Sequence, residues 1–87
     1  MYFANIDTIK SDIAIALGYD PKNPPVQLDE KQAAIALGLK VSTLSVWRST
    51  GRYKLPFIKV GRLVRYRVSD LAEFLARRTT EQTHRED

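Results

Sequence analysis

The stretch AAIALGLKVSTLSVWR, residues 33–48, carries a helix stop and a helix start only three residues apart. Gly38 suits the stop, because glycine enters the left-handed region without a steric penalty. Ser42 suits an N-cap for the next helix, with Val41 before it and Val46 inside it placed for a hydrophobic staple. Upstream, Asp29 and Gln32 read as a capping box, which predicts a helix over about 30–37. Two short helices joined by so tight a turn must cross steeply and touch, as in a helix-turn-helix. Ala34 is small where the crossing is close, and Leu37, Leu44 and Trp47 supply an apolar wedge. Trp47 shares a face with Leu44 and therefore reads as core, not as a stacking platform. An ordinary helical hairpin also meets this spacing, so the pattern alone assigns no function.

The sequence IALG also occurs earlier, at 15–18. There it closes a predicted helix over 2–17, with Tyr2, Ile6, Ile9, Ile13, Ala16 and Leu17 on one face and Ile15 on the other. YDPKNPPVQ (19–27) follows, and its prolines remove amide donors and stiffen the chain into a spacer. The first helix on such a spacer either packs on its own domain or reaches a neighbouring protomer. After STGRYKLP, the run FIKVGRLVRYR (57–67) predicts a β-hairpin turning at Gly61–Arg62, with its register open. Ser69 or Asp70 caps a last helix over about 70–78, with Leu71, Phe74 and Leu75 as its stripe and Glu73 available to close a box on Asp70. The expected organisation is an N-terminal helix and Pro-rich linker (1–27), a compact domain (28–78) and a polar tail (79–87). The whole is mainly α with a small β-hairpin. At 87 residues only one small core is possible, burying roughly 60–65% of the unfolded surface.

Charge is distributed unevenly. All ten carboxylates lie at or before Glu30 or at or after Asp70. The 39 residues from Lys31 to Ser69 contain nine cations and no acid. A segment of one sign repels itself and is better tolerated when its partner is a polyanion, so nucleic acid is favoured over an anionic membrane or an acidic protein. There is no cysteine, which excludes disulfides and thiolate metal sites, and the one histidine, His84, lies in the polar end TEQTHRED. The serines of 42–49 have no histidine partner outside that tail, and no paired-carboxylate or glycine-rich phosphate motif occurs. No catalytic residue, metal or cofactor is expected. No apolar run reaches the roughly 18 residues of a membrane span and no signal-peptide pattern opens the chain, so the expected location is cytoplasmic.

Residues 28–75, and most specifically VSTLSVWR, KVGRLVRY and SDLAEFL taken together, resemble the small MerR-like winged helix-turn-helix domains of phage and mobile-element excisionases and AlpA-like regulators. The resemblance implies a bacterial, nucleoid-associated protein that binds double-stranded DNA. It implies either an excisionase (a recombination directionality factor acting with a site-specific recombinase) or a transcriptional regulator with the same DNA contacts. Such domains commonly carry a long basic side chain where this chain has Ser45 and Val46. No long dimerisation helix or effector domain follows, so no small-molecule effector is expected. A protein-interaction module such as an antitoxin is the alternative from another class.

In a helix-turn-helix the second helix enters the major groove, amino end first. By angle, its outer face carries Ser42, Ser45, Val46, Ser49 and Arg52, flanked by Thr43 and Arg48. Val46 suits either a thymine methyl or the staple. Lys54, Lys59, Arg65 and Arg67 are candidate phosphate contacts, and Arg62 at the hairpin tip is a candidate for a flanking minor groove. So small and weakly charged a reading face predicts self-association on DNA.

Overall fold

Both copies of IALG close a helix with the same hydrogen bonds. In the computed structural model, which describes residues 5–79, α1 (Ile6–Ala16) ends at Leu17 and α2 (Glu30–Leu37) ends at Gly38. The Gly18 and Tyr19 amides donate to the Ile15 and Ala14 carbonyls at 3.1 and 2.8 Å. The Gly38 and Leu39 amides donate to the Ile35 and Ala34 carbonyls at 3.1 and 2.9 Å. Each set is a Schellman cap, made possible by glycines at φ +84° and +72°.

The chain then runs as β1 (Gln27–Asp29), α2, α3 (Val41–Thr50), a 3-10 turn at Arg52–Lys54, β2 (Ile58–Val60), β3 (Leu63–Arg67) and α4 (Val68–Arg78). The three strands form one antiparallel sheet in the order β1-β3-β2. The helices over 30–37 and about 70–78, the hairpin and the Asp29–Gln32 capping box occur as the sequence predicts. Tyr2, His84 and the rest of the polar end lie outside the described residues.

Three expectations need correction. α3 starts two residues early, with Lys40 at the N-cap and no side-chain cap, so Ser42 is already inside the helix. The staple positions therefore fall to Leu44, in the core cluster, and Leu39, half-buried against it, while Val41 and Val46 are exposed. Likewise α4 begins at Val68 behind Arg67, and neither Ser69 nor Asp70 caps it. Asp70 instead accepts two hydrogen bonds from Arg67, at 2.9 and 3.0 Å. In α4 the burial of Val68 at the start outweighs a better capping residue further in, and in α3 the packing of Leu39 and Leu44 across the start does the same. Thirdly, the sequence predicts no strand between the spacer and α2, yet β1 forms there. Its single apolar residue, Leu28, pairs with Tyr66 and is buried with it.

The core joins the four helices with β1 and β3. Tyr66, Leu28, Leu44, Leu71 and Val68 are its largest fully buried side chains. Ile13 belongs to the same cluster, and α1 lies against α4. The N-terminal helix is thus part of the domain core, held there without a second protomer. Its spacer is pinned as well: Ser11 Oγ donates to the Pro21 carbonyl, and Gln32 Nε2 donates to Tyr19 Oη at 2.9 Å.

Candidate nucleic-acid interface

The turn after Gly38 sets α3 across α2, and burial of Leu44 fixes which side of α3 faces inward. The outer side then carries Ser42, Val46 and Ser49, all exposed, with Thr43 and Ser45 half-buried beside them. Val46 is 54% exposed, which removes it from any staple and leaves it available to a partner. Ser49 Oγ donates to the Val46 carbonyl at 3.2 Å, so one of these hydroxyls is already occupied within the helix. This face is hydroxyl-rich and nearly uncharged.

Arg48 turns away from it. Its Nε lies 2.7 Å from one oxygen of Glu30 and a terminal nitrogen lies 3.2 Å from the other. Tyr66 Oη donates to the same carboxylate at 2.8 Å. The Arg48 and Glu30 side chains are only 19% and 18% exposed, and the Phe57 ring lies 6.0 Å from the guanidinium. The hydrogen bond from Arg48 holds the Glu30 carboxyl below its ordinary value, against the opposing effect of burial. Burial, and then the bond to Glu30, push the Tyr66 phenol well above its ordinary range. The three groups tie the start of α2, the middle of α3 and the central strand together. Arg48 thus braces α3 from behind.

The hairpin register sorts the remaining cations by face. Lys59 opposes Val64 and shares the side on which Tyr66 is buried. Ile58 opposes Arg65 and Val60 opposes Leu63, so Arg65 and Arg67 lie on the outer side with these apolar residues. Arg62 sits at the apex beside Gly61. Arg65 donates to the Val64 carbonyl, and Arg67 is held by Asp70.

Between α3 and the hairpin the backbone is strained. Tyr53 and Lys54 both lie in the left-handed region, at φ +63° and +53°, a placement costing about 1–3 kcal/mol per residue. Aromatic packing holds the turn. The Tyr53 ring meets Trp47 edge-on at 4.6 Å, and Arg78 sits 5.1 Å from Tyr53 and 4.4 Å from Phe74. Arg52 stands 5.1 Å from Tyr53. The turn leaves Arg52 and Lys54 exposed at the end of α3, with Arg78 added from α4.

Glu30 and Asp70, the two acids that bound the acid-free segment, close on Arg48 and Arg67. Of nine cations in that segment, subtracting these two leaves seven with no ion-pair partner among the described residues: Lys31, Lys40, Arg52, Lys54, Lys59, Arg62 and Arg65. Sequence reasoning missed Glu30 and Tyr66. The available signal was Glu30's place as the last acid before the cationic run.

Two helices crossed through a three-residue turn, backed by a hairpin with a basic apex, define a winged helix-turn-helix. A helix-turn-helix domain family matches residues 28–79, and the chain belongs to that family. Family membership indicates a DNA-binding protein; α1 lies outside the matched span. Comparison with curated proteins and with solved structures gave no match. Among the described residues no helix is long and apolar enough to cross a membrane, and no group of His, Cys, Asp or Glu could hold a metal ion.

Proposed function

We propose that the protein is an architectural DNA-binding factor of the excisionase type, from a bacterial phage or mobile element. Several protomers bind adjacent sites cooperatively, bend the duplex and direct a site-specific recombinase toward excision. One observation carries this reading: the domain has seven cations without ion-pair partners among the described residues, and a reading face made of hydroxyls and one valine. Serine bonds several bases and discriminates weakly, whereas a bidentate arginine–guanine pair is worth about 1–3 kcal/mol. Attraction to phosphate therefore exceeds base reading in each protomer, and specificity comes from repetition and from DNA shape.

Within this reading Ser42, Thr43, Ser45, Val46 and Ser49 face the major groove. Arg52, Lys54, Lys59 and Arg65 contact phosphates, and Arg62 enters a flanking minor groove. Arg48 and Arg67 orient these elements through Glu30 and Asp70. With about five phosphates neutralised, log K falls with log salt at a slope near −4.5, so a fourfold rise in salt weakens binding roughly 500-fold.

Titration of the DNA flanking its own gene at two salt concentrations tests the proposal. Ladders of shifted complexes, bent DNA and a slope near −4.5 are expected. Single-step binding to straight DNA would overturn it. Footprints over a promoter, away from any recombination core, would move the role to transcriptional regulation.

A further inference from the structure

The hairpin apex is apolar as well as basic. Val60 and Leu63 form the last cross-strand pair before the Gly61–Arg62 turn, so their side chains stand next to each other on the outer side of the sheet. They are 67% and 54% exposed, and Ile58 continues the strip toward the core. Single exposed apolar residues are ordinary, but a paired set at the tip of a projecting hairpin is not explained by the fold, which neither buries nor needs it.

We infer that this pair is a wedge for the DNA minor groove, pressing Leu63 and Val60 against a base step and kinking the duplex. The inference rests on the DNA-binding reading above and names the residues that produce the bend. Charge selects the occupant. Arg62 is at the apex, Lys59 and Arg65 stand behind it, and no acid lies between Lys31 and Ser69. Size selects it too. Two side chains are far fewer than the roughly 20–30 residues a side of an ordinary protein interface. Paired strands lie about 4.8 Å apart and the minor groove is about 6 Å wide, so only the tip enters. Leucine is among the side chains that wedge between steps from this groove, and the kink so formed bends DNA toward the major groove. With α3 in the adjacent major groove, that bend closes the duplex around the reading helix.

The test uses the full chain and duplexes of about 30 bp with a central TA step, the kind that kinks most readily, labelled at both ends for energy transfer. Wild type should shorten the end-to-end distance. Val60→Thr with Leu63→Thr, which keeps strand propensity at exposed positions, should lose at least half of the bend, weaken binding only about threefold and leave the salt slope unchanged. Arg62→Ala should do the reverse, lowering the slope by about 0.9 while the complex still bends. Leu63→Phe should bend at least as strongly as wild type. The wedge is overturned if the double threonine variant bends DNA as wild type does. It is equally overturned if that variant loses only cooperative assembly, which would make the strip a contact between protomers. If wild type retains no duplex at all, the DNA-binding reading fails first and the wedge with it.

Discussion

Residues 13–18 and 33–38 share their last five residues and the same cap hydrogen bonds, yet one helix end leads into a pinned strap and the other into α3. The difference lies one turn upstream and one residue beyond. The first copy buries Ile13 against α4, whereas the second has Ala33 at the matching position and buries it completely where other elements pack closely on α2. Past the glycine, Tyr19 leads to a proline-rich strap, while Leu39 packs against the core cluster and positions Lys40 as the cap of α3. Ile15 and Ile35, equivalent in the two copies, are both exposed. An identical stop signal therefore specifies only where a helix ends. The volume of the residues before it and the burial of the residue after it decide what the next segment does.

Exchanging the distinguishing residues is the strongest way to break this relation. Ile13→Ala leaves a cavity between α1 and α4 and should cost about 2–5 kcal/mol. In a chain this size that lowers Tm by roughly 4–8 °C per kcal/mol, readable by thermal denaturation. The reciprocal Ala33→Ile overpacks the core around α2 and should cost about 1–3 kcal/mol. A Tm unchanged by Ile13→Ala would mean that α1 is not part of the core.

The second helix also differs by its charge tie, which α1 lacks among the described residues. Glu30→Gln removes the ion pair with Arg48 and weakens the Tyr66 bond, and should cost about 2 kcal/mol at pH 7. The sign with pH follows from the direction of the shift. Glu30 is held below its ordinary value of 4.5 in the folded state, so the folded chain binds that proton less readily than the unfolded chain. Its contribution is present above pH 4.5 and is lost as pH falls through the folded value. Urea unfolding at pH 7 and pH 3 should therefore show a smaller difference for the glutamine variant than for wild type. An equal difference would remove Glu30 from the account.

Much of the fold was legible because its signals are local. The Asp29–Gln32 box, the two glycine stops and the Gly61–Arg62 turn each depend on a few adjacent residues, and each occurs as the sequence indicates. What stayed hidden depends on distant partners. β1 is three residues long with one apolar side chain, and only pairing with β3 makes it a strand. The caps of α3 and α4 shift because Leu39, Leu44 and Val68 gain burial that no local rule counts. At the interface, helical angle placed Ser42, Val46 and Ser49 on the outer face. The same reasoning could not see that Arg48 would turn inward to an acid 18 residues earlier.

The two glycines sharpen the same relation at lower cost. Nothing lies within 4 Å of where a Cβ would stand on Gly18 or Gly38, so alanine at either meets only the backbone penalty. Each change should cost about 1–2 kcal/mol, and equally, because the two φ values are alike. DNA retention should separate them. Gly38→Ala loosens the turn that aims α3 and should weaken binding beyond its stability cost, while Gly18→Ala should leave binding unchanged. Equal losses of DNA binding would mean that the strap matters to the interface as much as the turn does.

The smallest effect is expected where the chain leaves α3. Lys54 is exposed and holds φ +53° without a glycine, a conformation that costs an ordinary residue about 1–2 kcal/mol. Lys54→Gly removes that cost but adds freedom to the unfolded chain, so the net gain in stability should be under about 1 kcal/mol. The same change deletes one cation from the proposed interface, and the salt slope of DNA binding should fall by about 0.9. A more stable protein that binds DNA less steeply with salt is an outcome that general damage cannot produce. If stability rises and the slope stays fixed, the strain in this turn serves packing around Tyr53 and not the placement of a cation. If neither quantity moves, Lys54 is held without strain and takes no part in binding.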